Sequence, residues 1–274
     1  RRVLFRSYFK NYRYRMEIIS VVNQKGGVGK TTTCMNLAAS LATINKKVLV
    51  IDLDPQGNAS TGFGIETYSR VKNIYNVLLG EYNIKDAIKK TEIANLFIIP
   101  STVDLSAAEL DLKEFNYREF ILQKAIKQLG EIFDYIIIDC PPSLGLLTVN
   151  ALVASHELII PMQCEFFSME GLSHLLRTIK LIQKGLNPSL TIKGVLLTMY
   201  DRRNRVSAQV AREVKKYLNN KVFNTIIPRN IRVSEAPSFG KPVIAYDHSC
   251  SGAKAYIRLV KEILTQNKLK RKAS

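Results

Sequence analysis

Residues 23–34, NQKGGVGKTTTC, combine residue types that could bind phosphate. Their three glycines allow the backbone to turn tightly, so that successive amide groups can face an anion. Lys30 could contact the outer phosphates of a nucleotide, and the hydroxyl of Thr31 could contact Mg²⁺. The segment therefore predicts a nucleotide-binding loop.

Two positions depart from the Gly-x-x-x-x-Gly-Lys-Ser/Thr pattern of such loops. Gln24 stands in the place of the first glycine, and Lys25 is a second lysine for which an ordinary loop has no use. The glycines nearest to the phosphates are still present, so a phosphate site is expected in spite of Gln24.

Three carboxylates end apolar runs further along the chain. Asp52 and Asp54 follow one run at a spacing of two, and Asp139 follows another. Ligands of open α/β sheets bind beyond the carboxyl ends of the strands, where Asp139 has the position of an aspartate that orders metal-bound water. Taken singly, each residue is more often a turn or cap residue. Beside a phosphate loop, the three together favour a metal and hydrolysis site.

The elements that must position these residues alternate between strand-like and helix-like segments. The strand-like runs are continuously apolar, which indicates strands covered on both faces. Strands that alternate with helices predict an α/β fold, a doubly wound, mostly parallel sheet flanked by helices. The expected strands are residues 18–22, 48–51, 96–99, 135–138, 158–160, 194–197 and 222–227, and the expected helices are residues 31–43, 117–129, 168–184, 206–218 and 252–266.

We expect residues 16–267 to form a single domain between two basic tails, residues 1–15 and 268–274. Residues 1–15 carry six basic and no acidic side chains, and their start, RRVLFRS, matches one reading frame of a common sequencing adapter. This predicts an artefactual or disordered segment, with Met16 as the natural start. The net charge is +17, and +11 (34 basic against 23 acidic residues) without that segment. A polyanionic partner is therefore favoured over a merely soluble basic surface.

Cysteine and histidine usage excludes several kinds of site. The cysteines lie far apart and form no C-x-x-C pair, which predicts reduced thiols in a cytosolic protein. The histidines are equally scattered, so no zinc site is expected. No unbroken apolar run is long enough for a transmembrane helix, and no secretory signal is recognisable. The cysteines are Cys34, Cys140, Cys164 and Cys250.

Four motifs together identify a family. KGGVGKTTT, DLDPQGNAS, DYIIIDCPPS and IIPRNIRVSEAPSFGKPV resemble the ParA/Soj family of DNA-partitioning ATPases, over about residues 16–264. The resemblance is to the short chromosomal type, and it implies a P-loop NTPase with a deviant Walker A motif. It also implies ATP and Mg²⁺ as cofactors. Lys25 would be the lysine that crosses a dimer interface to the phosphates of the partner subunit, so that hydrolysis requires assembly.

The resemblance also implies roles for single residues. Lys25, Lys30 and Asp54 would be catalytic, with Asp54 positioning the attacking water. Mg²⁺ would be held by Thr31 and, through water, by Asp52 and Asp139. The nucleotide-binding positions are Lys25, Gly26, Gly27, Val28, Gly29, Lys30, Thr31 and Thr32 in the loop, and Met199, Pro228 and Asn230 around the adenine.

DNA binding is indicated by the placement of basic residues. Arg202, Arg203 and Arg205 follow one expected strand, and Arg232 follows another. Arg205 shares a helix face with residues 212 and 216, and no aromatic residue interrupts the cluster. The pattern fits contacts to duplex phosphates without sequence reading. By resemblance, Arg203 and Arg232 are the DNA-contacting arginines, although which of the three residues 202, 203 and 205 serves stays open.

The resulting hypothesis is a cytoplasmic, nucleoid-associated DNA-segregation ATPase. Its ATP-bound homodimer would bind double-stranded DNA nonspecifically, and a ParB-type centromere-binding protein would stimulate hydrolysis. No stable membrane association is expected. One alternative is a Min-like membrane-cycling ATPase, which requires a C-terminal amphipathic helix, whereas KLKRKAS offers only Leu269 as an apolar anchor. Others are an iron–sulfur reductase, with Cys140 and Cys164 as candidate ligands, and a DNA-coating protein that does not hydrolyse ATP.

Overall fold

The computed structural model describes residues 16–165 and 168–273. The expectation for residues 1–15 falls outside these ranges. Seven strands form one sheet in the order β3-β4-β2-β5-β1-β6-β7, parallel except for the short edge strand β3. The strands are β1 Glu17–Val21, β2 Val48–Asp52, β3 Lys89–Lys90, β4 Leu96–Ile99, β5 Tyr135–Asp139, β6 Glu157–Gln163 and β7 Thr191–Thr198.

Helices cover both faces of this sheet, as the apolar runs predict. Neighbouring residues of a strand point to opposite faces, and in β1 Ile18 joins one buried cluster while Ile19 joins the other. Both faces are therefore apolar, which confirms the doubly wound sheet. The helices are α1 Lys30–Ala42, α2 Asn58–Gly62, α3 Ile74–Leu79, α4 Ala108–Asp111, α5 Ile121–Lys127, α6 Leu146–Ala154, α7 Ser168–Gly185, α8 Arg205–Leu218, α9 Ile231–Glu235, α10 Val243–Tyr246 and α11 Ser251–Ala273.

The strand expected at residues 222–227 is wrong. Within the described residues this segment makes only isolated bridges, from Val222 to Val195 of β7 and, just beyond the segment, from Pro228 to Tyr200. Between these points the backbone N–H groups of Asn224 and Thr225 donate to the carboxylate of Glu262 in α11, at 2.7 and 2.9 Å. Because a side chain takes these donors, no continuous ladder can form.

Other parts of the structure also differ from the sequence expectation. The helix expected at residues 117–129 is a 3₁₀ turn, Arg118–Phe120, followed by the shorter α5. The sequence did not predict α6, β3 or the short helices α2, α3, α4, α9 and α10. The boundary placed after residue 267 falls inside α11, where Lys270 pairs with Glu157 of β6. Within residues 16–165 and 168–273, no helix has the length and apolar character needed to cross a bilayer.

Candidate functional site

The loop between β1 and α1 is fixed at its base by Asn23. The side-chain amide of Asn23 donates to the carbonyl oxygen of Pro161 in β6 at 2.7 Å, and its Oδ1 accepts from the N–H of Lys25 at 3.0 Å. Gly27 and Gly29 have φ angles of +72° and +86°, which side chains other than glycine rarely adopt. α1 therefore begins directly after a tight glycine-rich loop, as the sequence pattern predicts.

Lys30 begins α1 and lies almost completely buried, with 7% of its surface exposed. Its Nζ donates to the carbonyl oxygen of Lys25 at 3.2 Å, across the loop. Burial lowers the pKa of Lys30, and the nearby carboxylates of Asp139 and Asp54 oppose that shift. Within residues 16–165 and 168–273 this ammonium forms no ion pair, so a phosphate at the loop would give it a charged partner.

The second lysine of the loop contacts its own chain. Lys25 Nζ lies 2.6 Å from Oε2 of Glu165, which follows β6. Both side chains are about half exposed, 42% for Lys25 and 53% for Glu165. The ammonium of Lys25 is thus held by Glu165 and remains accessible at the surface.

Strand register brings the predicted carboxylates together at the carboxyl edge of the sheet. Asp52 and Asp139 are register partners in β2 and β5, and Asp139 is also the partner of Val21, the last residue of β1. The phosphate loop starts from this same edge. Side-by-side placement follows from parallel pairing of strands that end at the same level.

Local hydrogen bonds fix two of the three carboxylates. Asp52 is completely buried, and its Oδ2 accepts from the N–H and the hydroxyl of Ser60 at 2.8 and 2.6 Å. Burial raises the pKa of Asp52, although the bonds from Ser60 oppose the shift. Asp54 is 7% exposed and accepts the N–H of Gln56 at 3.0 Å through Oδ1, which closes a tight turn.

Asp139 retains one oxygen for another partner. Its Oδ1 accepts from the thiol of Cys34 at 3.4 Å, whereas its buried Oδ2 has no hydrogen-bond partner among the residues that the structure describes. Burial is the main cause that raises the pKa of Asp139, and the charge of Asp52 is the second. The side chain of Thr31 lowers this pKa. A buried unpaired oxygen beside a hydroxyl fits Mg²⁺, which prefers oxygen ligands and keeps several waters. Among the residues described, no group of three or more His, Cys, Asp or Glu side chains forms a dedicated metal cage.

A cleft beside the loop collects the residues expected around the adenine. Met199, Pro228 and Asn230 line it together with Gly29 and Thr32. Met199 has a φ of +49°, in the left-handed region that non-glycine residues seldom adopt. The structure thus brings the two sequence-distant parts of the predicted nucleotide site together.

Side chains at the ends of β6 and β7 form two hydrogen bonds to the phosphate loop beside this cleft. Thr198 Oγ1 donates to the carbonyl oxygen of Val28 at 2.8 Å, and Gln163 Nε2 donates to the carbonyl oxygen of Gly27 at 3.3 Å. Asn230 accepts the N–H of Val233 at 3.2 Å and donates to Ser251 at 3.0 Å. The side-chain oxygen of Asn230 therefore caps the amino end of α9.

Both arginines predicted to contact DNA are surface residues with carboxylate partners. Arg203 binds Asp201 through Nε and Nη2 at 3.1 and 3.0 Å, with 90% of its side chain exposed. Arg232 donates to Glu235 at 3.0 Å. These hydrogen bonds raise the pKa of each guanidinium. The neighbouring residues 202 and 205 are exposed as well.

Sequence reasoning missed several residues that hold the site. Ser60 lies within a quoted motif, yet nothing in its spacing shows that it binds Asp52. Glu165 follows β6 as one acidic residue among many, so only the fold reveals its pairing with Lys25. The thiols of Cys140 and Cys164 are buried, at 0% and 5% exposure, which disfavours an iron–sulfur cluster shared between subunits.

Known proteins resemble the chain over nearly its full length. A family model described as an AAA domain matches residues 16–192. The chain is 53% identical to the sporulation initiation inhibitor protein Soj of Bacillus subtilis (strain 168), over 90% of this chain and 98% of that protein. It is 49% identical to the chromosome partitioning protein ParA of Caulobacter vibrioides (strain NA1000 / CB15N), over 92% of this chain and 96% of that protein.

The fold also resembles solved structures. One is cobyrinic acid a,c-diamide synthase from Mycobacterium smegmatis with bound ADP and magnesium. It matches with a TM-score of 0.82 and 35% identity, over 93% of this chain and 96% of that one. Sequence identity to Soj and ParA is considerably higher than to this neighbour. The chain therefore belongs to the ParA/Soj family of chromosome-partitioning ATPases.

Proposed function

We propose that this protein hydrolyses ATP with Mg²⁺ as part of a DNA-segregation cycle. In this cycle an ATP-bound homodimer binds duplex DNA nonspecifically, and a ParB-type partner stimulates hydrolysis and release. The observation that carries the proposal is the convergence of Lys30 with Asp52, Asp54 and Asp139 at one edge of the sheet. That set joins a phosphate anchor to oxygen ligands and to a carboxylate that could orient water.

Each residue has a distinct task in this proposal. Backbone amides of residues 26–32 and Nζ of Lys30 would bind the phosphates, with Lys30 leaving the carbonyl oxygen of Lys25. Thr31 would hold Mg²⁺ directly, and Asp52 and Asp139 would hold its waters. Bound Mg²⁺ would neutralise charge on the phosphate oxygens. Asp54 would accept a hydrogen bond from the attacking water and aim its oxygen at the terminal phosphorus.

Lys25 would complete the site only in a dimer. Its ammonium is exposed and held by Glu165 rather than by its own loop. In a face-to-face dimer it would leave Glu165 and contact the phosphates bound to the partner subunit. Charge on the transferring phosphoryl group would then be stabilised only after assembly. Hydrolysis would thus be conditional on ATP-bound dimers.

The DNA contact would use exposed arginines beyond the strand ends. Arg203 and Arg232 would exchange their partners Asp201 and Glu235 for duplex phosphates. Because phosphate contacts carry no sequence information, binding would be nonspecific and strongly salt-dependent. The protein would accordingly be cytoplasmic and associated with the nucleoid, without stable membrane association.

A gel-shift assay on unrelated DNA duplexes tests this proposal. Wild-type protein should shift every duplex with ATP and Mg²⁺, and much less with ADP. Asp54→Ala should bind ATP, dimerise and remain on DNA, because it lacks only the water-positioning carboxylate. Lys30→Ala should lose ATP and, with it, DNA binding, whereas Lys85→Ala, at an exposed turn, should resemble wild type. DNA binding that is independent of nucleotide would contradict the cycle.

A further inference from the structure

Arg70 is an arginine buried behind the carboxylate edge, with only 5% of its surface exposed. Within residues 16–165 and 168–273, no carboxylate forms an ion pair with it. Burying a guanidinium is costly unless hydrogen bonds compensate it. A buried arginine without an ion-pair partner therefore calls for a specific explanation.

All five N–H groups of Arg70 donate hydrogen bonds. Nε and Nη2 donate to the carbonyl oxygen of Ile65 at 3.0 and 2.7 Å, and Nη2 also donates to Thr61 Oγ1 at 2.8 Å. Nη1 donates to the carbonyl oxygens of Gly57 and Ser101 at 3.4 and 3.2 Å. An arginine has five such donors in a planar fork, and here none is left over.

One arm of this network reaches the turn that carries Asp54. The N–H of Gly57 donates to the carbonyl oxygen of Asp54 at 2.9 Å and closes the turn, while Arg70 holds the carbonyl oxygen of Gly57. Gly57 has a φ of +61°, and a Cβ there would lie 2.6 Å from Arg70 Nη1. The guanidinium thus packs directly against the turn.

The other arm reaches Asp52. Arg70 holds the carbonyl oxygen of Ser101, whose N–H donates to Ser60 Oγ at 3.0 Å. The Ser60 hydroxyl in turn donates to Asp52 Oδ2 at 2.6 Å. The guanidinium of Arg70 is therefore linked by hydrogen bonds to the surroundings of both Asp52 and Asp54.

We propose that Arg70 is a positioning residue for hydrolysis: through Gly57 it fixes the turn of Asp54, and through Ser101 and Ser60 it fixes Asp52. This assignment rests on the proposed function. The hydrogen bonds that Arg70 makes to described residues reach neither the phosphate loop nor the adenine cleft, so it acts on the hydrolytic step and not on nucleotide affinity. Displacing a reacting group by about 1 Å costs on the order of 100-fold in rate.

The test compares Arg70→Lys with Arg118→Lys. Lysine keeps the charge but has three donors, so at least two of the five hydrogen bonds and one of the four acceptors are lost. Arg118 is the control, because it also donates to a backbone carbonyl oxygen, that of Lys113, while its side chain pairs with Glu119 rather than with Asp52 or Asp54. We expect Arg70→Lys to lower kcat about 10- to 100-fold with the KM for ATP changed less than about 3-fold. Arg118→Lys should match wild type, and hydrogen exchange should accelerate in residues 53–60 of Arg70→Lys alone.

Thr61→Val provides a second variant if Arg70→Lys does not fold. It removes one acceptor of the guanidinium and should lower kcat about 3- to 10-fold at unchanged KM. A folded Arg70→Lys with wild-type kcat overturns the assignment, as does a loss of kcat and ATP affinity together. If Arg70→Lys does not fold, a wild-type kcat in Thr61→Val overturns the positioning role of Arg70. Wild-type protein that hydrolyses no ATP would instead overturn the proposed function, and this assignment with it.

Discussion

Replacing Glu165 with glutamine removes the carboxylate that pairs with Lys25 while keeping the size of the side chain. In the proposed cycle Lys25 must leave Glu165 before it can contact the phosphates of the partner subunit. The ion pair thus opposes dimerisation, and its removal should favour the ATP-bound dimer.

The expected magnitude follows from the exposure of the pair. Lys25 is 42% and Glu165 53% exposed, so solvent screens an interaction that the 2.6 Å separation would otherwise make strong. Exposed pairs contribute about 0.2–1 kcal/mol. A dimer breaks two of them, which gives about 0.4–2 kcal/mol, or roughly a 2- to 30-fold lower dissociation constant.

Sedimentation velocity at saturating ATP and Mg²⁺ measures this constant, in an Asp54→Ala background that keeps ATP intact. Glu170→Gln is the control, since it removes the same charge from the exposed first turn of α7. Equal strengthening in both variants would reveal a general charge effect. An unchanged or weaker dimer in Glu165→Gln would refute the reasoning that Lys25 must be released.

Three further expectations concern DNA binding and packing. Arg232→Ala should bind ATP normally but lower the slope of log affinity against log salt by about one unit in gel shifts, and an unchanged slope would remove Arg232 from the interface. Asp201→Asn should free Arg203 and tighten DNA binding severalfold in the same assay, where weaker binding would contradict its role. Gly194→Ala would place a Cβ 2.7 Å from the Phe223 ring; urea unfolding should show a loss of about 1–3 kcal/mol, and wild-type stability would be inconsistent with this packing.

The sequence predicted most of the sheet because its strands are short, apolar and buried on both faces. Six of the seven observed strands coincide with such runs. Residues 222–227 have the same composition, yet Glu262 of α11 takes two of their backbone donors. A competing side chain that lies far away in sequence leaves no local signal, so this error could not be avoided by pattern reading.

In the candidate site, too, some residues were predicted from the sequence and others were not. Lys30 was expected from the pattern of the phosphate loop. Asp52 and Asp139 were expected from their positions at strand ends, and parallel register does bring these two aspartates side by side. The groups that hold them were not expected. Arg70 acts through backbone carbonyl oxygens, which every residue possesses, so its partners have no characteristic residue type. Such contacts become visible only when the chain is folded. The roles assigned to single residues stay predictions.

Hydrolysis that depends on a lysine donated by the partner subunit is the central claim, and mixing two inactive variants tests it directly. Lys25→Ala lacks the donated ammonium, and Asp54→Ala lacks the water-positioning carboxylate, so each alone should hydrolyse ATP at background rate. In a mixed dimer, the site on the Lys25→Ala subunit keeps Lys30 and Asp54 and receives an intact Lys25 from its partner.

Phosphate release after mixing, with mixed dimers first verified by pull-down of differently tagged subunits, is the measurement. If Lys25 acts across the interface, hydrolysis returns on mixing, limited to one complete site in each mixed dimer. If Lys25 acted within its own subunit, every site would lack one group. Verified mixed dimers that hydrolyse ATP only at background rate would contradict the account.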